Sequence, residues 1–136
     1  MNTKELRQLA SRELCTYRRA CCGGRLEVTV LPAGNDLCVL LTGGHSPHVG
    51  CVALGIPRPS LKPDGEPGAT VSTLNVTGHK DDAVANRFAA RLAARSGRVV
   101  SVTCGIHFHE ADSRDIEDVL QTAEELLRAV EDSLPG

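Results

Sequence analysis

Between residues 25 and 77 the apolar side chains of this chain recur at every second position or in short unbroken runs. In the stretches 81–96 and 112–130 they recur every third or fourth residue instead. This change of period constrains the fold more than any other feature, since a period of two belongs to strands and one of 3.6 to helices. Leu26, Val28 and Val30 alternate with Glu27 and Thr29, the pattern of a half-buried strand. Pro32-Ala33-Gly34-Asn35-Asp36 is a connection of hairpin length. Leu37 to Thr42 and Val49 to Ile56 are nearly unbroken apolar runs, so both are predicted strands, the second ended by Pro57 and Pro59. Residues 60–68 read as a loop, and Ala69 to Thr77 as a β-branched fourth strand.

Val84, Phe88 and Leu92, set among alanines, predict a helix from Asp81 to Ser96 that Gly97 ends. Val100, Val102, Cys104 and Ile106 alternate in a fifth strand. A last helix starts at Asp112 or Ser113, both good N-caps, and carries Ile116, Val119, Leu120, Ala123, Leu126, Leu127 and Val130 on one face. Upstream, Leu6, Leu9, Ala10, Leu14 and Tyr17 predict an amphipathic helix over 4–18, stopped by Gly23-Gly24. The expected order is α-β-β-β-β-α-β-α. It describes a single α+β domain, a mostly antiparallel five-stranded sheet with helices packed on one face. Residues 1–24 are expected to form a helical extension and 25–134 the domain proper.

Tyr17, Phe88 and Phe108 are the only aromatic residues, so the core must be built from Val, Leu, Ile and Ala. The same scarcity removes the stacking platforms of single-stranded nucleic-acid binders, and a net charge of −2 argues against a phosphate-backbone partner. No run approaches the length of a membrane span, and residues 1–19 are charged throughout, so a cytoplasmic location is expected. The six cysteines form no C-x-x-C pair; Cys38, Cys51 and Cys104 fall in strand-like runs as small core residues. Cys15, Cys21 and Cys22 cluster near the terminus as free thiols.

The candidate chemistry lies in turns. Gly43-Gly44-His45-Ser46-Pro47-His48-Val49-Gly50 separates two apolar runs, and Gly78-His79-Lys80 and Gly105-Ile106-His107 echo it. The glycines permit backbone N–H groups to converge on an anion, or they serve a tight turn alone; no P-loop or dinucleotide spacing is present. His48, His79 and His107 could gather at one sheet edge, to hydrogen-bond a ligand or to hold a divalent metal with Glu110 or Asp112. A small metal-dependent lyase or hydrolase with Glu110 as base is therefore an alternative. His45 and His109 are expected to face solvent. At the start of the helix, Asp81 and Asp82 complement the dipole and would repel a phosphate on its axis, so His79 and Lys80 would reach an anion from the side.

At these motifs the chain resembles the prenylated-flavin chaperone-like family, small accessory proteins associated with gallate decarboxylases. The matching residues are Gly43-Gly44-x-x-Pro47-His48-Val49-Gly50 with Val52-Ala53, Pro57-Arg58-Pro59-Ser60, Gly78-His79-Lys80-Asp81-Asp82, and Gly105-Ile106-His107. The resemblance covers roughly residues 25–132, and departs from the family at Phe108-His109, where a small acidic stretch is common. It implies a non-catalytic chaperone or accessory protein that binds prenylated FMN or FMN. Its partners would be a flavin-dependent aromatic acid decarboxylase and a flavin prenyltransferase. Mapped onto this chain, Gly43, Gly44, His48 and Gly50 would shape the pocket, and Arg58, His79, Lys80 and His107 would offer polar or cationic contacts. Strands 37–42 and 49–56 are apolar on both faces, which asks for a second cover, either the N-terminal helix or a second copy in a homodimer.

Overall fold

A computed structural model describes residues 14–63, 65–76 and 81–134. In chain order the elements are β1 (Cys15–Cys21), β2 (Gly24–Ala33), β3 (Asp36–Gly44), β4 (Cys51–Arg58), β5 (Gly68–Asn75), α1 (Asp81–Ser96), β6 (Val100–His107) and α2 (Ser113–Ser133). The strands form one six-stranded sheet in the order β1-β2-β3-β6-β4-β5, antiparallel except where β6 lies parallel to β3. The α+β architecture holds, with one strand more than expected.

That extra strand replaces part of a predicted helix. Residues 15–18 belong to β1, while residues 4–13 of the expected helix lie outside the described residues. Pairing with β2 overrides the helical spacing. Thr16 faces Thr29 with their hydroxyls 3.1 Å apart, and Arg18 Nε donates to Glu27 at 2.6 Å. The turn after β1 is Cys22-Gly23, with φ of 51° and 75°. Two successive positive φ values are what a two-residue hairpin requires, so the glycines expected to stop a helix form a strand reversal. β4 also runs further than expected, through Pro57 to Arg58. Its pairing with β6 ends at Gly55, so the missing N–H of Pro57 breaks no bond on that side.

The core lies on one face of the sheet. Val28, Leu41, Cys104 and Cys51 form one buried row across β2, β3, β6 and β4, and Val30, Val39, Val102 and Ala53 form the next. Onto these rows α1 lays Val84, Ala85, Phe88, Ala89, Leu92 and Ala93. α2 covers the β1–β2 side with Thr122, Ala123, Leu126, Leu127 and Val130. The alanines matter: a Cβ on Gly55 would lie 2.4 Å from the Ala89 carbonyl oxygen, so α1 sits directly on the strand. The two helices are joined at the surface by Arg87 and Arg91, which grip Glu124 and Glu131 of α2. Both guanidiniums hydrogen-bond Glu124, holding its carboxyl down at about 2. An N-terminal capping box, Asp112 with Asp115, starts α2. No helix among the described residues is long and apolar enough to cross a membrane.

Candidate functional site

Parallel β3 and β6 end side by side, Gly43 opposite Ile106 and Gly44 opposite His107. From there the chain must pass over the end of β6 to begin β4 on its far side. The crossing is close: a Cβ on Gly105 would lie 1.6 Å from the His48 carbonyl oxygen. Gly44, at φ 83°, turns the chain so that His45 N–H and Ser46 N–H both donate to the His107 carbonyl, at 2.7 and 3.3 Å. Gly50 N–H then donates to the Cys104 carbonyl at 2.8 Å. The glycines of this turn are therefore required by a backbone crossing, and they also fix where His48 stands.

His48 is held from two sides. Its Nδ1 lies 3.0 Å from the Ser46 carbonyl oxygen, which can only accept, so Nδ1 is a donor. Its Nε2 lies 3.2 Å from Asp81 Oδ2, at ion-pair distance without hydrogen-bond alignment. Asp81, 7% exposed, accepts from Ile106 N–H at 3.2 Å through its other oxygen. A side chain at Gly50 would strike this carboxylate, at 2.2 Å from Oδ2. Asp81 thus ties the first turn of α1 to the end of β6 and to the glycine turn. Burial, with Asp81 and Asp82 adding to it, pushes the neighbouring Cys51 thiol up to about 11, and burial chiefly pushes Cys104 up as well. Both remain protonated core residues.

Four imidazoles crowd this end of the sheet. His45 and His109 stack with centroids 5.0 Å apart, and His109 N–H donates to His45 Nδ1 at 3.0 Å. His107 meets His109 edge-on at 5.3 Å and His48 at 6.5 Å. His45 and His109 are exposed, as expected, but they cover one another. Behind them Phe108 turns inward against Gly24. Between this cluster and the starts of α1 and α2 opens a cleft of about 440 Å³. Its lining is largely apolar, from Val84, Ile106, Ile116, Val119 and Leu120, and includes the buried Asp81 and the exposed His107 and Glu110.

Of the residues singled out by sequence, Gly43, Gly44, His48, Gly50 and His107 come together at this end of the sheet, and of these only His107 lines the cleft. His79 and Lys80 lie outside the described residues. Arg58 does not join them. β4 runs antiparallel to β6, so the seven residues from Cys51 to Arg58 carry it roughly 23 Å toward the opposite end of the sheet, beside Arg95 at the close of α1. Among the described residues no three His, Cys, Asp or Glu side chains converge as a metal site needs, and His79 of the alternative metal set lies outside them. Asp81 is the residue that sequence reasoning overlooks, because its place in the first turn explains it as a charge complementing the dipole. A signal is present all the same: Asp81 lies three, four and seven residues before Val84, Ala85 and Phe88, on the buried stripe of the helix.

The chain is similar to known proteins over nearly its whole length. It is 25% identical over 119 residues to Protein LpdD of Lactiplantibacillus plantarum, covering 86% of this chain and 82% of that one. A chain in the crystal structure of a novel chaperone complex for yeast 20S proteasome assembly shares the fold, with a TM-score of 0.52 at 21% identity, over 90% of this chain and 98% of that chain. The prenylated flavin chaperone LpdD-like domain matches residues 21–135, and the chain belongs to that family.

Proposed function

We propose that this protein is a non-catalytic accessory chaperone that holds prenylated FMN, or FMN itself, between a flavin prenyltransferase and a flavin-dependent aromatic acid decarboxylase. Family membership supports the chaperone role. The observation that carries the flavin reading is the cleft: about 440 Å³, with a largely apolar lining that includes an imidazole. That size and character suit a small aromatic ligand with few polar contacts.

The charges in the lining give the ligand a direction. Asp81 and Glu110 are carboxylates, and no lysine or arginine lines the cleft among the described residues. A phosphate pressed against them would meet repulsion in a partly desolvated setting. The ring system and its prenyl substituent therefore enter toward Ile106, Ile116 and Leu120, and the ribityl phosphate points outward. His79 and Lys80, which precede Asp81 in the chain, are the proposed cationic contacts for it. Held chiefly by apolar burial, the flavin stays releasable, as a carrier requires.

Calorimetric or fluorescence titration with prenylated FMN and with FMN tests this. Saturable binding is expected, weakened by Ile116→Arg, which places a charge at an already exposed position on the cleft wall. Failure of both flavins to bind, alone or with a decarboxylase present, would sink the proposal.

A further inference from the structure

The sheet face turned away from α1 and α2 has no cover among the described residues, yet it is not built for solvent. By strand alternation it carries Leu31, Leu40, Val52, Leu54, Ile56 and Leu74, each at least 37% exposed. Its charged side chains include Arg18, Arg25 and Glu27 at one corner, and Arg58 at the far end of β4. At six strands spaced about 4.8 Å and about 25 Å long, the face spans on the order of 700 Å². Where the four strands β3, β6, β4 and β5 face a second copy, about 480 Å² from each, or roughly 960 Å² together, comes near the roughly 1,000 Å² that a specific interface must clear.

The relief of this face is specific. β3 presents Leu40 and β4 presents Val52, Leu54 and Ile56, while β6 between them presents only Ser101 and Thr103, which are half-buried. A furrow of small hydroxyl residues thus runs beside a ridge of branched aliphatic ones. A ridge and its matching furrow, side by side on a surface charged only toward its ends, are what a self-complementary patch needs.

We propose that this face is the interface of a symmetric homodimer, the β4 ridge of each copy seated over the β6 furrow of the other. Only a two-fold axis running along the strands, between β4 and β6, brings ridge to furrow in both directions. An axis across the strands would set β4 on β4. The two sheets then pack as an aligned sandwich, about 10 Å apart. With strands running the same way, both histidine turns and both clefts lie at the same end of the dimer. A partner docking there meets two sites at once.

Light scattering on the full chain over a concentration series tests the proposal. A mass of twice 14.4 kDa is expected, halving in a Leu54→Lys variant whose circular dichroism is unchanged. A second measurement needs no substitution. Cys38 sits half-buried on this face, next to Leu31 and Ser101 in register, whereas Cys15 is exposed on β1. Alkylation of Cys38, followed by mass spectrometry with Cys15 as reference, is expected to be slow in concentrated protein and to quicken on dilution. A monomeric mass at every concentration overturns the proposal. So does a dimer untouched by a folded Leu54→Lys variant, or a Cys38 rate that ignores concentration.

Discussion

Replacing Gly105 with alanine tests whether the backbone crossing at the end of β6 is as tight as described. The new Cβ would lie 1.6 Å from the His48 carbonyl oxygen and 2.3 Å from its carbon. Ordinary contact begins near 3.4 Å, so the 45–50 connection must retreat by nearly 2 Å, because β6 is fixed between β3 and β4. Such a retreat stretches the 2.8 Å bond from Gly50 N–H to the Cys104 carbonyl. Losing that bond costs about 1 kcal/mol, and the overpacking costs about 1–3 kcal/mol. Reduced freedom of the unfolded chain returns about 0.4–1 kcal/mol. The extremes are about 1 and 3.6 kcal/mol, and the middle of the range is a loss of about 2–3 kcal/mol. For 136 residues the unfolding entropy near the midpoint is about 0.29 kcal/mol per kelvin, so Tm should fall by about 7–10 °C. Gly97→Ala supplies the comparison. That glycine has φ 68° but nothing within 4 Å of an added Cβ, so only the backbone penalty of about 1 kcal/mol applies. Scanning calorimetry of both variants separates contact from conformation. A Gly105→Ala shift no larger than that of Gly97→Ala would refute the crossing.

Glu124→Gln should lower stability at neutral pH by about 1–2 kcal/mol, less than the full shift suggests because Arg87 is more than half exposed. Since the folded carboxyl sits at about 2 against an ordinary 4.5, its contribution is complete above that ordinary value and fades as pH falls toward 2. Urea titrations should therefore show wild type and Glu124→Gln converging in acid, and a gap constant from pH 7 to pH 2.5 would contradict the assignment. Asp81→Ala leaves Ile106 N–H without its acceptor and His48 without its carboxylate, and should cost about 2–3 kcal/mol. Asp81→Asn, which keeps an acceptor for Ile106, should cost less; equal losses in denaturant would show that the Ile106 bond contributes little.

The sequence is most legible where period and punctuation agree. α1 and α2 fall close to their expected bounds because Val84, Phe88 and Leu92, and then Leu126, Leu127 and Val130, mark single buried stripes, each behind an acidic start and before a glycine or a proline. β1 is hidden because Leu14 and Tyr17 continue an upstream helical spacing, while the residues that decide the matter, Thr29 and Glu27, lie on another strand. The position of β6 between β3 and β4 has no local signature at all, since pairing partners 63 residues apart leave no local trace, as with Leu37 and Val100. The site inherits that blindness. Gly43, His48 and His107 are legible as neighbours because each follows a strand. Arg58 is grouped with them only through the motif resemblance, and an extended strand turns closeness in sequence into distance in space. The stacking of His45 on His109 depends on the same parallel pairing and is equally hidden.

The late arrival of β6 in the chain also bears on how the protein is made. β3 and β4 are never neighbours, so a nascent chain that ends before residue 100 holds a β1–β2–β3 meander and a β4–β5 hairpin with nothing to join them. Only the strand inserted last makes the sheet continuous. It is a topology of high contact order, for which slow folding and exposure of unpaired edges during synthesis are the expected costs. The histidine turn lies across the end of that same strand, so the ribosome must release residues 100–107 before any part of the cleft can exist.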